Sequence, residues 1–388
     1  MSMKTESPVK LCLFFTHNVS LAKWERLGLF DREITPYKKL IQKEDIEIAF
    51  ITYGDRTDLS FSNRLAPIKV LPLFKNKIPK LKFLIFLQAL LGLWCLRHEV
   101  RGYHIYKSNQ MLGSHLALCA RLLFGGKFML RTGYELLDFT VKDKAHLLKR
   151  TFAFLLSWLS YLNADMIVVA SKNDENFAKR AFSNLRHRHF EIQPNWIDVD
   201  KFKPVLDTIN TKRDFVFVGR LEHQKNLATL IDAAALASVE LDIIGQGSKE
   251  KELKAQIKAN GAKIRILPPV RNSSLPKYFK HYRCFILPSL FEGNPKTLLE
   301  AMSCAMPIIG ADVPGISSVL DHRKDGMLCI GKADNLAHAM LELLSNEREA
   351  NKWGKAARQK IKRHNSLQSF LNEEMRRYRQ LHQAGYSD

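Results

Sequence analysis

The sequence predicts an α/β protein made of two parallel sheets flanked by helices. Short runs rich in β-branched and aromatic residues alternate with helix-length segments along almost the whole chain, which is typical of βαβ units. The pattern resets around Pro194 and Pro204, so a second series of such units is expected. With 388 residues, the chain is long enough for two domains that each bury a core.

Thirteen strands are predicted, seven in the first series and six in the second. The first seven lie near residues 10–15, 46–52, 68–73, 104–106, 128–131, 166–169 and 190–192. The other six lie near residues 215–218, 241–244, 263–267, 284–287, 307–309 and 327–329. Because crossovers between parallel strands run through helices, helices are expected on both faces of each sheet.

The domain boundaries follow from the same reset. The polar, proline-punctuated segment 193–213 is interpreted as the interdomain linker. Residues 1–195 are then the N-terminal domain and residues 196–365 the C-terminal domain. Residues 366–388 are predicted to contain a charged helix with Ser366 as its N-cap.

The chain is strongly basic. Lys and Arg number 60 against 39 acidic residues, for a net charge of +21. Residues 61–150 alone contain 16 Lys or Arg and 4 Asp or Glu. Such a concentration attracts phosphorylated substrates, anionic lipid or nucleic acid, although a solvated basic surface is the plainer interpretation. No zinc finger or RNA-binding aromatic strand motif is found, which argues against nucleic acid.

The cysteines and the N-terminus indicate a cytoplasmic protein. The six cysteines form no CxxC pair, and most lie in apolar runs, which favours reduced core thiols over disulfides or a zinc site. No apolar signal region precedes the first predicted strand. We therefore expect no export and no zinc site at these cysteines.

Two apolar segments, residues 83–96 and 152–162, have basic neighbours and contain aromatic residues. Neither reaches the roughly 20 residues that span a bilayer. Burial against a sheet is favoured for most of each segment. The alternative is contact with an anionic membrane surface, as amphipathic helices make.

The strongest chemical motif follows the strand predicted to end near residue 287. Asn294 is a natural N-cap and Pro295 suits the first helical position, so a helix is predicted to begin there. The N–H groups of residues 296–298 would then form an anion site suited to a diphosphate. Glu292 precedes this site, and Glu300 lies about 7.5 Å beyond Pro295 along the axis. Taken alone, the motif could equally be an exposed helix with two unrelated glutamates.

A second motif ends the strand predicted at residues 215–218. Gly219 lets the backbone approach a ligand closely, and the cations Arg220 and Lys225 follow it. These cations could neutralise a diphosphate leaving group without a metal. A loop with two surface cations is the alternative in so basic a chain.

Taken together, these motifs resemble the family 4, or group 1, glycosyl transferases. The resemblance rests on residues 219–226, on the two glutamates with seven residues between them, and on the stretch 301–309. Residues 194–198, 244–247, 313–315 and 325–326 are also similar to the family, in order and spacing. The fold this implies is GT-B, two facing Rossmann-like domains, with the C-terminal helix returning to the N-terminal domain.

The resemblance also implies a retaining, metal-independent transfer from a nucleotide sugar, with Glu292, Arg220 and Lys225 as the catalytic set. By it, we expect no metal and no resident cofactor. Arg220 and Lys225 would bind the diphosphate, Glu300 the ribose hydroxyls and Glu292 the sugar hydroxyls. Arg271 would lie near the base. The implied donor-binding residues are Gly219, Arg220, Lys225, Arg271, Glu292, Gly293, Asn294, Pro295, Lys296, Thr297 and Glu300. An aromatic residue is common where Asn294 stands, so the donor sugar is left open.

The N-terminal half lacks the family's glycine-rich loop and its His-Asp signature. Polar residues nevertheless stand at the carboxyl ends of predicted strands, where open α/β sheets bind ligands. His17, Lys107, Asn109, Arg131 and Glu135 are therefore predicted to face an acceptor in the interdomain cleft.

The resulting hypothesis is a cytoplasmic glycosyltransferase, peripheral on the membrane, in polysaccharide or lipopolysaccharide-type synthesis. Its partners would be a UDP- or GDP-sugar, a glycan or lipid-linked acceptor and an anionic membrane surface. A dinucleotide-dependent oxidoreductase is less well supported, because no strand is followed by Gly-x-Gly-x-x-Gly. A non-enzymatic basic membrane- or polyanion-binding protein is the other alternative. The general base is left open: either the leaving diphosphate takes the acceptor proton, or Glu292 acts in a double displacement.

Overall fold

A computed structural model describes residues 7–75, 82–133, 135–142, 146–205 and 213–384. The chain divides into two compact units. The first unit combines the chain up to Gln193 with the segment from Leu371 onwards, and the second runs from Pro194 to Phe370. Much of the polar part of the predicted linker, residues 206–212, lies outside the described residues.

The first unit contains a seven-stranded parallel sheet with the order β3-β2-β1-β4-β5-β6-β7. Its strands are β1 (Val9–Phe14), β2 (Ile46–Thr52), β3 (Lys69–Pro72), β4 (Ile105–Ser108), β5 (Lys127–Arg131), β6 (Met166–Val169) and β7 (Phe190–Ile192). The central strands β1, β4 and β6 are almost wholly buried, as expected where helices cover both faces.

Nine α-helices precede the second unit in the described chain. They are α1 (Leu21–Arg26), α2 (Phe30–Lys43), α3 (Ser62–Leu65), α4 (Lys82–Cys95), α5 (Arg97–Val100), α6 (Ser114–Phe124), α7 (Leu136–Lys142), α8 (Leu147–Asn163) and α9 (Lys172–Ala181). Ser171 caps α9 by accepting the N–H of Asp174, which satisfies one of the free donors of the first turn.

The second unit contains a six-stranded parallel sheet with the order β10-β9-β8-β11-β12-β13. Its strands are β8 (Arg213–Val218), β9 (Leu241–Ile244), β10 (Ile264–Leu267), β11 (Tyr282–Leu287), β12 (Ile308–Ala311) and β13 (Met327–Cys329). One apolar core packs on both sides of this sheet.

The remaining helices are α10 (Leu227–Leu236), α11 (Glu250–Asn260), α12 (Leu275–Phe279), α13 (Lys296–Ser303), α14 (Pro314–Ser317), α15 (Ala333–Ser345), α16 (Glu347–His364) and α17 (Leu367–Ala384). The hydroxyl of Ser366 accepts the N–H of Ser369 at 3.2 Å, as predicted for an N-cap. From Leu371 onwards α17 belongs to the first unit.

The predicted fold class is confirmed. Each of the thirteen predicted strands is present, and its ends differ from the prediction by at most two residues. The strands were found because a parallel strand buried on both faces is a nearly continuous apolar run. Within the described ranges, no helix is long and apolar enough to cross a membrane.

Two sequence interpretations need correction. The apolar segments in α4 and α8 bury only one side of each helix, represented by Ala89 and Leu156, while residues such as Leu91 and Leu155 are exposed. All six cysteines are free as expected, but Cys95 on α4 is exposed rather than in a core. Period and apolarity alone do not tell which side of an entirely apolar helix faces a neighbour.

Candidate active site

The candidate site lies where the strand order of the second sheet reverses. Neighbouring strands β8 and β11 are separated in sequence, and the chain winds outward from them in opposite directions. Such a switch point leaves a crevice beyond the carboxyl ends of the strands. The loops that follow β8 and β11 contain most of the predicted donor-binding residues.

Lys225 and Glu292 bring these two loops together. Lys225 ends a short 3-10 helix after β8, and its ammonium forms an ion pair with Oε1 of Glu292. Their side chains are 12% and 7% exposed. The hydroxyl of Ser289 donates a second hydrogen bond to the same carboxylate oxygen, at 2.7 Å. The two predicted catalytic side chains therefore lie in direct contact.

The loop that holds Glu292 is fixed from two sides. The side-chain amide of Gln224 donates to the carbonyl of Phe291 at 2.8 Å. On the other side, a Cβ atom at Gly315, in α14, would lie 2.1 Å from the carbonyl oxygen of Glu292 and 2.6 Å from that of Gly293. Only glycine fits there, which gives the residues 313–315 of the sequence motif a positioning role.

The predicted start of α13 is wrong by one residue, and so is its cap. The helix begins at Lys296, Pro295 precedes it in an extended conformation, and no side chain caps it. Asn294 does not cap α13, because its side-chain oxygen Oδ1 accepts a hydrogen bond from the N–H of Asn195 at 2.9 Å. The side-chain amide of Asn195 in turn donates to the backbone carbonyl of Asn294 at 2.6 Å.

The predicted anion site at the start of α13 keeps its physical basis. The first N–H groups of a helix have no acceptor within it, and the helix dipole favours negative charge there. Thr297 is half-buried in this first turn, and the ammonium of Lys296 lies 5.8 Å from the ring centre of Trp196. This end of α13 directly follows the Glu292 loop.

Glu300 lies deeper, in the second turn of α13. It is 1% exposed, and its Oε1 accepts a hydrogen bond of 2.7 Å from the side-chain amide of Asn272. Asn272 directly follows Arg271, which is exposed beyond β10. The contact links the end of β10 to the helix that follows β11.

Arg220 is exposed directly after β8 and Gly219. Gly245, in the loop after β9, has a φ of +158°, and a Cβ atom there would lie 1.8 Å from the carbonyl oxygen of Gly219. The N–H of Leu221 donates to the carbonyl of Gln246 at 3.0 Å. The glycines of the 244–247 motif therefore serve close packing between two loops.

The sequence interpretation missed the side chains that orient this site. They are Gln224, Asn272 and Ser289. Each lies beyond the carboxyl end of a strand, the position that was used to select residues in the N-terminal half. The same criterion applied to polar residues after β10 and β11 would have selected Asn272 and Ser289.

In the first unit, three predicted acceptor-side residues lie beyond or at the ends of β1, β4 and β5. Arg131 is 9% exposed and donates to the backbone carbonyl of Asn109 at 3.3 Å. Half-buried His17 lies with its ring centre 5.0 Å from that of Tyr53. Arg131 and Asn109 are therefore brought together.

Lys107 does not face an acceptor as predicted. It is completely buried, ion-paired with Glu374 of α17, and it donates to the hydroxyl of Tyr378 at 2.8 Å. Burial, only partly offset by Glu374, lowers the pKa of Lys107 to about 8. Its position inside β4 turns its side chain into the protein, where α17 supplies the counter-charge.

Glu135 is also buried rather than open to an acceptor. It is 0% exposed, and its Oε2 accepts the N–H of Asp138 at 2.8 Å, at the start of α7. Burial, with a smaller contribution from Asp174, raises the pKa of Glu135 to about 7. Its contacts are those of a residue that shapes the β5–α7 connection.

The site fits no metal-binding pattern. Among the residues that the structure describes, no cluster of three or more His, Cys, Asp or Glu side chains could hold a metal ion. The positive charge beside the switch point comes from Arg220 and Lys225.

Comparison with known proteins gives a consistent result. The family model described as "Glycosyl transferases group 1" matches residues 198–360, a range that includes all the predicted donor-binding residues. Among solved structures, sucrose-phosphate synthase (tll1590) from Thermosynechococcus elongatus is similar in fold. It has a TM-score of 0.81 and 17% identity, with 97% of this chain and 100% of that chain covered.

Two curated relatives extend the match into the first unit. The Campylobacter jejuni N-acetylgalactosamine-N,N'-diacetylbacillosaminyl-diphospho-undecaprenol 4-alpha-N-acetylgalactosaminyltransferase is 30% identical over 254 residues, 64% of this chain and 68% of the relative. The Escherichia coli UDP-Gal:alpha-D-GlcNAc-diphosphoundecaprenol alpha-1,3-galactosyltransferase is 24% identical over 357 residues, 87% and 88% of the two chains. With its two parallel sheets and the residues gathered at the switch point of the second sheet, the chain belongs to the group 1 glycosyl transferases.

Proposed function

We propose that the protein transfers a sugar from a UDP- or GDP-sugar to a lipid-linked or glycan acceptor, with retention of configuration and without a metal. By this proposal it is a family 4 enzyme that works at the cytoplasmic face of a membrane in cell-surface polysaccharide synthesis. The names of two relatives support this choice, since both act on diphosphoundecaprenol-linked acceptors and one takes UDP-Gal.

The observation that carries the proposal is the ion pair of Lys225 and Glu292 beside the start of α13. The donor's diphosphate would occupy the helix N-terminus, next to Lys225 and Arg220. Glu292 would accept hydrogen bonds from hydroxyls of the sugar, and Glu300 those of the ribose, since carboxylates accept paired hydrogen bonds well. Arg271 would lie beside the base.

During transfer, the bond between the anomeric carbon and the β-phosphate oxygen breaks, and negative charge develops on the diphosphate. Lys225, Arg220 and the N–H groups of α13 are placed to stabilise that charge. The acceptor hydroxyl oxygen forms the new bond to the anomeric carbon, and its proton passes to the leaving phosphate oxygen. Because side-chain cations balance the diphosphate, no metal is needed for this step.

Front-face attack is favoured over a double displacement through Glu292. The Glu292 carboxylate already accepts hydrogen bonds from Lys225 and Ser289, and such bonds stabilise the anion and weaken it as a nucleophile. Mass spectrometry of enzyme incubated with donor alone tests this. A glycosylated Glu292 would support the double displacement instead.

A thermal-shift panel of UDP, GDP, ADP and NAD tests the donor assignment. A nucleotide at 100 times its dissociation constant stabilises a protein by about 2.7 kcal/mol. We expect a shift with UDP or GDP that is lost in Glu300→Ala and kept in Glu252→Ala, a control on exposed α11. If NAD alone shifted the melting temperature, or if none of the four nucleotides did, the proposal would be overturned.

The chemistry is tested separately with the donor that the panel identifies. We expect sugar transfer to a lipid-diphosphate acceptor that continues in EDTA and yields the anomeric configuration of the donor. An inverted product, or activity lost with EDTA and restored by a divalent cation, would contradict the retaining or the metal-free part of the proposal.

A further inference from the structure

Three neighbouring helices of the first unit expose apolar side chains to solvent. Helix α6 packs against both α4 and α8. Among the described residues, the exposed large apolar side chains number four on α4, two on α6 and eight on α8. Leu91 is 65% exposed, Leu122 64% and Leu148 76%. The apolar face, as we call the exposed side of these three helices, is far more apolar than a monomeric surface ordinarily is.

The pattern on α4 shows that this exposure is a regular stripe. Leu84, Leu87, Leu91 and Trp94 are exposed at helical spacings of three and four, so they share one side of the helix. No charged residue occurs from residue 83 to 96, and none from 151 to 163 in α8. A surface helix in contact with water normally has polar residues on its outer side.

Exposed basic residues lie on α8 and directly after α5, a helix that packs against α4 and α6. Lys149 and Arg150 are exposed in the first turn of α8, and Arg101 is exposed beyond α5. Residues 61–150 have an excess of 12 basic over acidic residues. Trp94 and Trp158 lie within the apolar face, and tryptophan favours the boundary between lipid and water.

We propose that the apolar face lies on the surface of an anionic bilayer, with α8 parallel to the membrane and its apolar side chains among the outer acyl carbons. Helix α8 is only about 25 Å long at 1.5 Å per residue, and its basic end would contact anionic headgroups. The inference rests on the proposed function, because a lipid-linked acceptor is confined to such a surface. Charge complementarity favours lipid over a second copy of this equally basic chain.

The tryptophans provide a direct test. Trp94 and Trp158 are 53% and 38% exposed, whereas Trp24, Trp196 and Trp353 are buried. Vesicles of phosphatidylcholine with about one-third phosphatidylglycerol should bind the protein and shift its tryptophan emission to the blue. High salt, or vesicles of phosphatidylcholine alone, should weaken the binding. Trp94→Phe combined with Trp158→Phe should remove most of the shift while vesicle co-sedimentation persists.

Matched variants locate the binding surface. Leu91→Glu and Leu155→Glu should each lower the vesicle partition coefficient by about tenfold, since charge is disfavoured among acyl carbons. Leu236→Glu changes an equally exposed leucine on α10 and should leave the coefficient unchanged. A label on the exposed Cys95 of α4 should report entry into lipid in the wild type only.

The possible outcomes separate this inference from the proposed function. Nucleotide binding and transfer to a short, water-soluble acceptor should be equal in wild type, Leu91→Glu and Leu155→Glu. The membrane inference would be overturned, and the proposed function kept, if wild type transferred sugar but did not bind anionic vesicles. The same would follow if Leu91→Glu and Leu236→Glu lowered the vesicle partition coefficient equally. A lipid-free dimer that Leu155→Glu makes monomeric would assign the apolar face to self-association. Absence of nucleotide binding with vesicle binding intact would instead overturn the proposed function.

Discussion

Lys225 and Glu292 form an ion pair that joins the loop after β8 to the loop after β11, with little of either side chain exposed. Ser289 donates to the same carboxylate, so both charges are held in place before any substrate binds. A site whose charges are already oriented loses little energy to reorganisation during the reaction. This contact is the basis of the first prediction.

We expect Lys225→Met and Glu292→Gln each to lower kcat by about 100-fold, the effect typical of removing one group that stabilises transition-state charge. Because the two side chains act as a unit, the double variant should lose much less than the product of the single effects. Steady-state kinetics with saturating donor measures this.

Lys249→Met is the matched control, because Lys249 forms an exposed pair with Glu252 on α11. Its kcat should stay within about twofold of wild type. Multiplicative losses in the double variant would mean that the pair is incidental to transfer.

The contact of Asn272 with Glu300 predicts a graded loss of nucleotide affinity. Asn272→Ala removes the 2.7 Å hydrogen bond to Glu300 and leaves the carboxylate less well oriented. We expect the dissociation constant of the nucleotide to rise roughly fivefold, equivalent to about 1 kcal/mol of binding free energy. Glu300→Ala should lose more affinity. Isothermal titration calorimetry measures both, with Asn260→Ala on α11 as a control. Affinity lost equally in Asn260→Ala would contradict the assignment.

Gly315 predicts an effect of shape alone. A Cβ atom there would overlap the carbonyl oxygens of Glu292 and Gly293, so Gly315→Ala must displace the Glu292 loop. We expect a fall in kcat of at least about tenfold, at a stability cost of about 1–3 kcal/mol. Ser317→Ala, on the same short helix, should change neither. Kinetics together with thermal unfolding separates a displaced loop from an unfolded one, and a Gly315→Ala enzyme with normal kcat would refute the positioning role.

The buried pair of Lys107 and Glu374 predicts a stability effect. Although burial opposes its ionisation, Lys107 and the Tyr378 hydroxyl hold the pKa of Glu374 below its ordinary value. Lys107→Met removes the nearer cation and leaves the buried carboxylate with Arg377 alone, at 3.9 Å, at a cost of up to about 3–5 kcal/mol. Lys107→Met with Glu374→Leu should recover most of the loss. Urea denaturation, followed through the transition of the first unit, measures the free energy of unfolding of each variant. An equal loss of stability in the double variant would contradict the prediction.

The fold was predictable because its strands are buried on both faces, and continuous apolar runs such as β6 and β12 are visible in the sequence. Glu292, Glu300 and Lys225 of the candidate site were found from the sequence motifs. Ser289 and Asn272, which donate hydrogen bonds to the two glutamates, were not. Asn294 illustrates the difference. Its side-chain oxygen can cap α13 only if the N–H of Asn195, distant in sequence, does not donate to that oxygen. Lys107 was misassigned for the same reason, because its partner Glu374 lies 267 positions away.

Glu135 predicts a pH dependence of stability. Its pKa is raised from 4.5 to about 7 in the folded protein, so the folded state binds an extra proton between these values. Stability from this group is therefore fully present below pH 4.5 and is lost as pH rises through about 7, by about 3 kcal/mol. Glu135→Gln keeps an oxygen for the N–H of Asp138 and cannot ionise. Its melting temperature relative to wild type should therefore rise with pH across this window.

Glu175→Gln is the control with the opposite sign. Although burial acts in the other direction, Lys172 and Lys179 hold the pKa of Glu175 below its ordinary value. Its stabilising contribution is present above the unfolded pKa and is lost as the pH falls through the folded one. Glu175→Gln should therefore be less stable than wild type at pH 7, and the difference should shrink in acid. The melting temperature of each variant relative to wild type is plotted against pH from 4 to 8. If the two plots ran parallel, Glu135 would not titrate as its burial requires.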